Sequence, residues 1–249
     1  MGRTVAQPAS LAVYLGECGH NLAQALVLYE WNSAVSCGVL RDLAHVEIAL
    51  RNAYDRAITR RWKGSTHWLL DPQLRLFGPL WRSQGARRVD VNDKPRRSIQ
   101  EAVRRCGPAA PPGKVVAELS FGFWRYLTSS AHEKSLWVPY LHTAYPPGTS
   151  RNDVDRRISR LNELRNRVAH HEAIFSQPHR SAMQDLIYVC GLLSTDVART
   201  SRPPAASDSY SSGVPDRCRA HRARHCGQFI AHVPIGLDPG LDLGQGVGG

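Results

Sequence analysis

From Trp31 to Arg60 the apolar residues Val35, Val39, Leu43, Val46, Leu50, Tyr54, Ala57 and Ile58 recur every three or four positions, save the adjacent pair at the end. A strand cannot bury such a set, because its side chains alternate between two faces. A helix can, so the spacing predicts a helix over 31–60. Residues 9–30 repeat the pattern with Leu11, Tyr14, Leu15, Cys18, Leu22, Ala25, Leu26 and Tyr29. Further helical stretches are predicted at 98–106, 114–129, 131–143, 152–172 and 180–194. The intervening breaks are Gly64-Ser65, Asp71-Pro72, Gly78-Pro79, the run from Gly107 to Gly113 and the run from Tyr145 to Ser150. Proline and glycine stop helices at such points. No sustained alternation of period two is present. The expectation is an all-α helical domain over residues 9–196.

Beyond that domain the composition changes. Residues 199–216 are rich in Ser, Pro and Gly, and the last eighteen residues offer little to pack. A disordered tail is expected over 197–249. Cys218, His221, His225 and Cys226 are metal-ligand types, but they crowd into nine residues without the loop that separates ligand pairs in zinc modules. No metal and no cofactor are expected. The six cysteines show no paired framework over most of the chain. Residues 1–10 are polar, and the apolar stretch after them is broken by Glu17, His20, Asn21 and Gln24. A reduced, cytoplasmic protein without a membrane span is expected.

Charge narrows the partner. The chain carries a net +11. The densest basic segment holds Arg75, Arg82, Arg87, Arg88, Lys94, Arg96, Arg97, Arg104 and Arg105 against Asp90, Asp93 and Glu101. Such a surface favours a polyanion, nucleic acid before an anionic membrane. Arg87, Arg88, Arg96 and Arg97 are the candidate RNA contacts. Phe121, Phe123 and Trp124 are assigned to the core rather than to a base-stacking platform.

The most crowded chemistry lies between Glu163 and Phe175, in the sequence ELRNRVAHHEAIF. With Ile158 at 0° and about 100° per residue, Leu161, Leu164 and Val168 fall at about 300°, 240° and 280°. That is the buried stripe. Asn166, His170 and Glu163 fall near 80°, 120° and 140°, on the opposite face, and Arg165 falls near 340°, on the flank of the stripe. Arg165 therefore meets His170 within one chain only by bending, or where the helix ends. The polar set faces solvent or another surface.

Arg165, Asn166 and His170 form R-N-x-x-x-H, which resembles the signature of the HEPN superfamily. The segments LYEWNSAVSCGVLRDLAHVEIALRNAYDRAI, SFGFWRYL and LRNRVAHHEAIF occur in the same order and at similar spacing in its Abi-like, abortive-infection branch. The resemblance covers roughly residues 9–196. It implies a helical bundle that forms a homodimer, with the two motifs meeting across the interface. It also implies a metal-independent endoribonuclease of phage-defence or toxin type, with RNA as substrate and an antitoxin as a further partner. Arg165, Asn166 and His170 would be its catalytic residues. His171 and Glu172 follow the motif as the family has them, in a supporting or helix-terminal role. Glu47 and Arg51 stand i, i+4, where an exposed ion pair is worth about 0.3–0.5 kcal/mol. Arg51-Asn52 is a second R-N pair that could support the site. The alternatives are a non-catalytic RNA- or nucleotide-binding module and a dimerising interaction protein. After the helix at 180–194 the family would continue with ordered helix, and this chain does not.

Overall fold

A computed structural model describes residues 9–177 and 179–193. The expected tail at 197–249, with Cys218, His221, His225 and Cys226, lies outside the described residues.

The described chain is mostly α-helical, as the periodicity requires. Helix α1 spans Ala9–Glu17 and α2 spans Leu22–Thr59. The predicted boundary near residue 30 is wrong: α2 runs straight through it, and the break falls at 18–21. Gly19 and His20 both take positive φ, 58° and 62°. Asn21 then caps α2, its side chain accepting from Gln24 N at 3.1 Å. Both signals were local and outweighed the continuous apolar pattern.

Helix α2 is the spine. Val35, Val39, Leu43, Val46, Leu50, Ala53, Tyr54 and Ile58 are buried along one side. Around them pack α4 (Pro112–Glu118), α5 (Phe121–Tyr126), α6 (Arg151–Ala169) and α7 (His179–Leu193). Phe121, Phe123 and Trp124 lie in this core, as expected. Trp68 stands 6.2 Å from Trp124, edge to face, and donates its indole N–H to Asp55 at 2.8 Å. The buried Tyr54 and Tyr145 hydroxyls share a 2.5 Å hydrogen bond. A smaller apolar cluster joins Tyr14, Leu15, Ala25, Leu28 and Phe175.

Three other segments depart from the prediction. The stretch 114–129 is split, because Leu119 and Ser120 are extended between α4 and α5. The split places Leu119 in the core, and its carbonyl accepts from Trp124 Nε1 at 3.2 Å. The stretch 131–143 forms no α-helix. A 3₁₀ turn at Ser130–His132, a π turn at Glu133–Trp137 and a 3₁₀ turn at Leu141–Ala144 replace it. Pro139 lacks the N–H that would continue a helical ladder through this stretch. Finally, an unpredicted hairpin joins β1 (Trp81–Gln84) to β2 (Arg87–Asp90). Trp81 pairs with Asp90 and Gln84 with Arg87. Gly85 supplies the positive φ that the first position of a two-residue turn asks for. Helix α3 (Asp93–Cys106) follows at once and begins five residues earlier than predicted.

The hairpin is tied to the body through His132. This imidazole is fully buried, with Nε2 2.7 Å from Asn92 Oδ1 and Nδ1 3.1 Å from Ser129 Oγ. Asn92 Nδ2 itself donates to the Gly78 carbonyl, so its Oδ1 is the acceptor and Nε2 bears the proton. Burial lowers the His132 pKa to about 4, Arg82 adds to the fall, and a backbone hydrogen bond with Tyr126 opposes it.

Candidate active site

The buried stripe of α6 is the one its spacing predicts. Ile158, Leu161, Leu164 and Val168 are all buried. Asn166 and His170 are exposed on the other side, and Arg165 is half-buried on the flank.

What the sequence left open is how the helix stops. His170 is its C-cap, its N–H donating to the Asn166 carbonyl at 2.9 Å. His171 follows in the left-handed region at φ 56°. His171 N donates to the Val168 carbonyl at 3.0 Å and Glu172 N to the Arg167 carbonyl at 2.9 Å. These are the paired bonds of a Schellman closure. Its usual apolar contact is replaced by an ion pair, Arg167 to Glu172 at 3.4 Å. His171 and Glu172 are thus helix-terminal groups, one setting the turn and the other clasping it. The motif histidine lies just past the last turn, where its imidazole makes no hydrogen bond or ion pair among the described residues.

The segment after the motif is pinned to α2. Ile174 is fully buried, and its N–H donates to Asn32 Oδ1 at 2.8 Å. Phe175 enters the small cluster, 5.4 Å from the Tyr14 ring. Helix α7 packs on both α2 and α6 and holds α6 through a buried carboxylate. Asp185, buried, accepts from Arg157 at 2.9 Å and from Arg160 at 2.6 and 2.7 Å. Arg157 also lies 4.0 Å over the Tyr188 ring. Sequence reasoning missed this hub and Asn32. The available signal was a lone acidic residue inside the apolar run of α7, and a lone asparagine on the buried stripe of α2.

Across from α6, helix α2 brings Glu47 and Arg51 to the same place. Burial raises the Glu47 pKa. Arg165 opposes that rise most, then Arg51, then the Phe121 backbone N–H. Arg165 is near enough to Glu47 for its charge to act there, but it makes no hydrogen bond or ion pair with Glu47 or with His170. The ion pair expected between Glu47 and Arg51 does not close. Arg51 reaches instead to the Ala117 carbonyl at 3.4 Å, and its buried Nε has no partner among the described residues. Asn52 is exposed. The three sequence blocks named above therefore converge: α2, the start of α5 and the end of α6 pack on one another.

The four candidate RNA contacts are not equivalent. Arg87 and Arg88 are exposed on β2 without a carboxylate partner among the described residues. Arg97 pairs with Asp93 at 2.9 Å but stays largely in solvent. Arg96 is built into the fold, bound to Asp90 at 2.5 Å and to the Phe77 carbonyl at 3.0 Å. Its guanidinium is occupied, so it is the weakest of the four as a phosphate contact.

Among the described residues no cluster of His, Cys, Asp or Glu could hold a metal ion, and no helix is long and apolar enough to cross a membrane. Compared with protein-family models, curated proteins and solved structures, the chain matches none.

Proposed function

We propose that the chain is an endoribonuclease of abortive-infection type, cutting RNA without a metal at a site shared by two copies. The observation that carries this reading is the end of α6: an exposed, unengaged imidazole at His170, and a half-buried Arg165 on another side of the helix, near Glu47 but joined to neither group. The two groups the chemistry needs leave one helix in different directions, and a second copy would bring them together.

In the proposed step a ribose 2′-oxygen attacks the adjacent phosphorus and loses its proton to a base. The bond from phosphorus to the 5′-oxygen breaks, and that oxygen takes a proton. The products are a 2′,3′-cyclic phosphate and a 5′-hydroxyl. Histidine suits either proton transfer near neutral pH. Arg165 would clamp the phosphate as its charge grows, through charge-assisted hydrogen bonds. Asn166, one turn before His170, would orient the imidazole or hold a phosphate oxygen. Glu47 would offer the Arg165 guanidinium a nearby counter-charge.

A surface for the second copy is at hand. Leu22, Leu26, Tyr29, Leu40 and Ile48 are exposed along α2. At about 100° per residue they share one side of the helix with Glu47 and Arg51. Pairing along this stripe would bring two copies of the site close. The same stripe is what an interaction module without turnover would use, so activity must decide.

The test is cleavage of labelled single-stranded RNA by purified protein. His170→Ala should slow it by roughly 10²–10⁴-fold and keep the wild-type circular dichroism. Arg165→Ala should abolish it, and Arg165→Lys should not restore it in full, since an ammonium lacks the bidentate fork. Cleavage should persist in EDTA and leave a 2′,3′-cyclic end. Equal cleavage by wild type and His170→Ala, or loss of cleavage in EDTA, overturns the proposal.

A further inference from the structure

The ribbon of β1 and β2 has a locked base. Leu80 N and Asn92 N both donate to Asp90 Oδ1, at 2.8 and 3.0 Å. Arg96 holds the other oxygen of Asp90 at 2.5 Å, and the Tyr126 hydroxyl donates to the Val91 carbonyl at 2.7 Å. An isolated two-stranded ribbon is marginal in water, so this base is what keeps the hairpin in shape.

Its outer part is open. Trp81 is 50% exposed, and Arg82, Arg87 and Arg88 are exposed too. Cross-strand pairing sets Trp81 opposite Asp90 and Ser83 opposite Arg88, so these four share one face and Arg82 and Arg87 lie on the other, with the Asp90 carboxylate already held by Arg96. The Arg88 guanidinium lies 5.7 Å from the Trp81 ring centroid. None of the three arginines meets a carboxylate among the described residues, whereas Arg96, Arg97, Arg104 and Arg105 all do.

We propose that this ribbon docks an unpaired segment of RNA, a base stacking on Trp81 beside Arg88 while Arg88 on that face, and Arg82 and Arg87 on the other as the strand passes round the ribbon's edge, contact phosphates. The proposal rests on the RNA reading above, not on the cleavage chemistry. A flat exposed ring with a cation beside it suits a nucleotide whose face is free, and only an unpaired base offers one. A lipid surface would ask for a second apolar side chain beside the indole to insert with it. The same-face neighbours of Trp81 are Ser83, Arg88 and Asp90 instead.

The experiment uses the full chain with His170→Ala, so that RNA survives. Binding is measured by anisotropy to a labelled single strand, to the duplex of the same sequence, and to vesicles of phosphatidylcholine with phosphatidylserine. The single strand should bind tightest. Trp81→Ala should weaken it by roughly 5- to 100-fold without changing the dependence of log affinity on log salt, and Trp81→Phe should keep most of the affinity. Replacing Arg82, Arg87 and Arg88 together by Gln should flatten that slope by about two units. Unchanged affinity in Trp81→Ala, or a duplex bound as tightly as the single strand, overturns the inference. So do vesicles that bind through Trp81 while RNA does not. If wild type cleaves RNA but Trp81→Ala binds normally, the ribbon falls and the α6 site stands. If the ribbon behaves as expected and wild type does not cleave, the reverse holds.

Discussion

Helices α1 and α6 end with the same backbone device and put it to different uses. At α1, His20 N donates to the Leu15 carbonyl at 2.7 Å and Gly19 N to the Gly16 carbonyl. At α6, Glu172 N and His171 N make the matching bonds. The first left-handed residue is glycine in α1 and histidine in α6. After α1 a second left-handed residue feeds the chain straight into the cap of α2. After α6 the chain instead runs as an exposed His-His-Glu segment before Ile174 and Phe175 anchor it. One closure connects two helices, and the other displays side chains. A histidine at a position that favours glycine is a local strain, and it falls next to the candidate catalytic group.

The helix-end histidines are exposed, and it is a buried histidine elsewhere that should make stability depend on pH. His132 is the case, and its effect is the largest expected. Its folded pKa of about 4 lies below the ordinary 6.5. The unfolded chain therefore takes up the proton first. The full stability is present above about pH 6.5 and is lost as pH falls toward 4, by roughly 3 kcal/mol. Urea unfolding across this range should show the decline, and His132→Gln should flatten its upper part, between pH 6.5 and 5. An unaltered decline in the variant would assign the effect to other groups.

The next effect concerns what anchors the displayed segment. Asn32→Ala leaves the buried Ile174 N–H without its acceptor and should cost about 1–3 kcal/mol. It should also lower cleavage, because His170 loses its fixed frame. The matching change at α1, Asn21→Ala, removes a cap worth about 1 kcal/mol and should leave cleavage alone. Equal effects of the two variants on cleavage would erase the distinction between the helix ends.

The smallest effects are at the left-handed residues themselves. His171→Gly should stabilise by up to about 1 kcal/mol, and Gly19→Ala should destabilise by about the same amount. A Cβ at Gly19 meets nothing within 4 Å, so the loss there would report backbone strain alone. Thermal unfolding resolves both. A destabilised His171→Gly would show that the imidazole contributes more than the conformation costs.

Much of this arrangement was legible in the sequence. The stripes of α2 and α6 are long, and a helix that must bury one face writes that face into its spacing. The exposure of Asn166 and His170 followed from the same wheel. The α1–α2 break did not, because one apolar pattern crosses it and only Gly19 and Asn21 mark the stop. The hairpin did not, since four-residue strands are too short to establish an alternation. The irregular turns from Ser130 to Ala144 answer to Pro139 and to burying Leu136 and Leu141, which is a matter of tertiary packing. Asp185 and Asn32 act through partners 25–28 and 142 residues away, and no local pattern announces them. Arginine counting overstated the free positive charge. Carboxylates hold Arg96, Arg104, Arg105, Arg157 and Arg160, while Arg82, Arg87 and Arg88 meet no carboxylate among the described residues.

The central claim is that Arg165 and His170 act together across two copies. Mixing two inactive proteins tests it most directly. Arg165→Ala and His170→Ala are purified separately, unfolded and refolded together, and assayed on labelled single-stranded RNA. In a mixed pair, the intact Arg165 of one copy faces the intact His170 of the other, so one of the two sites is whole. Random pairing should then restore about a quarter of wild-type cleavage. A mixture as inactive as its parts, when wild type refolded in the same way is active, would contradict the shared site.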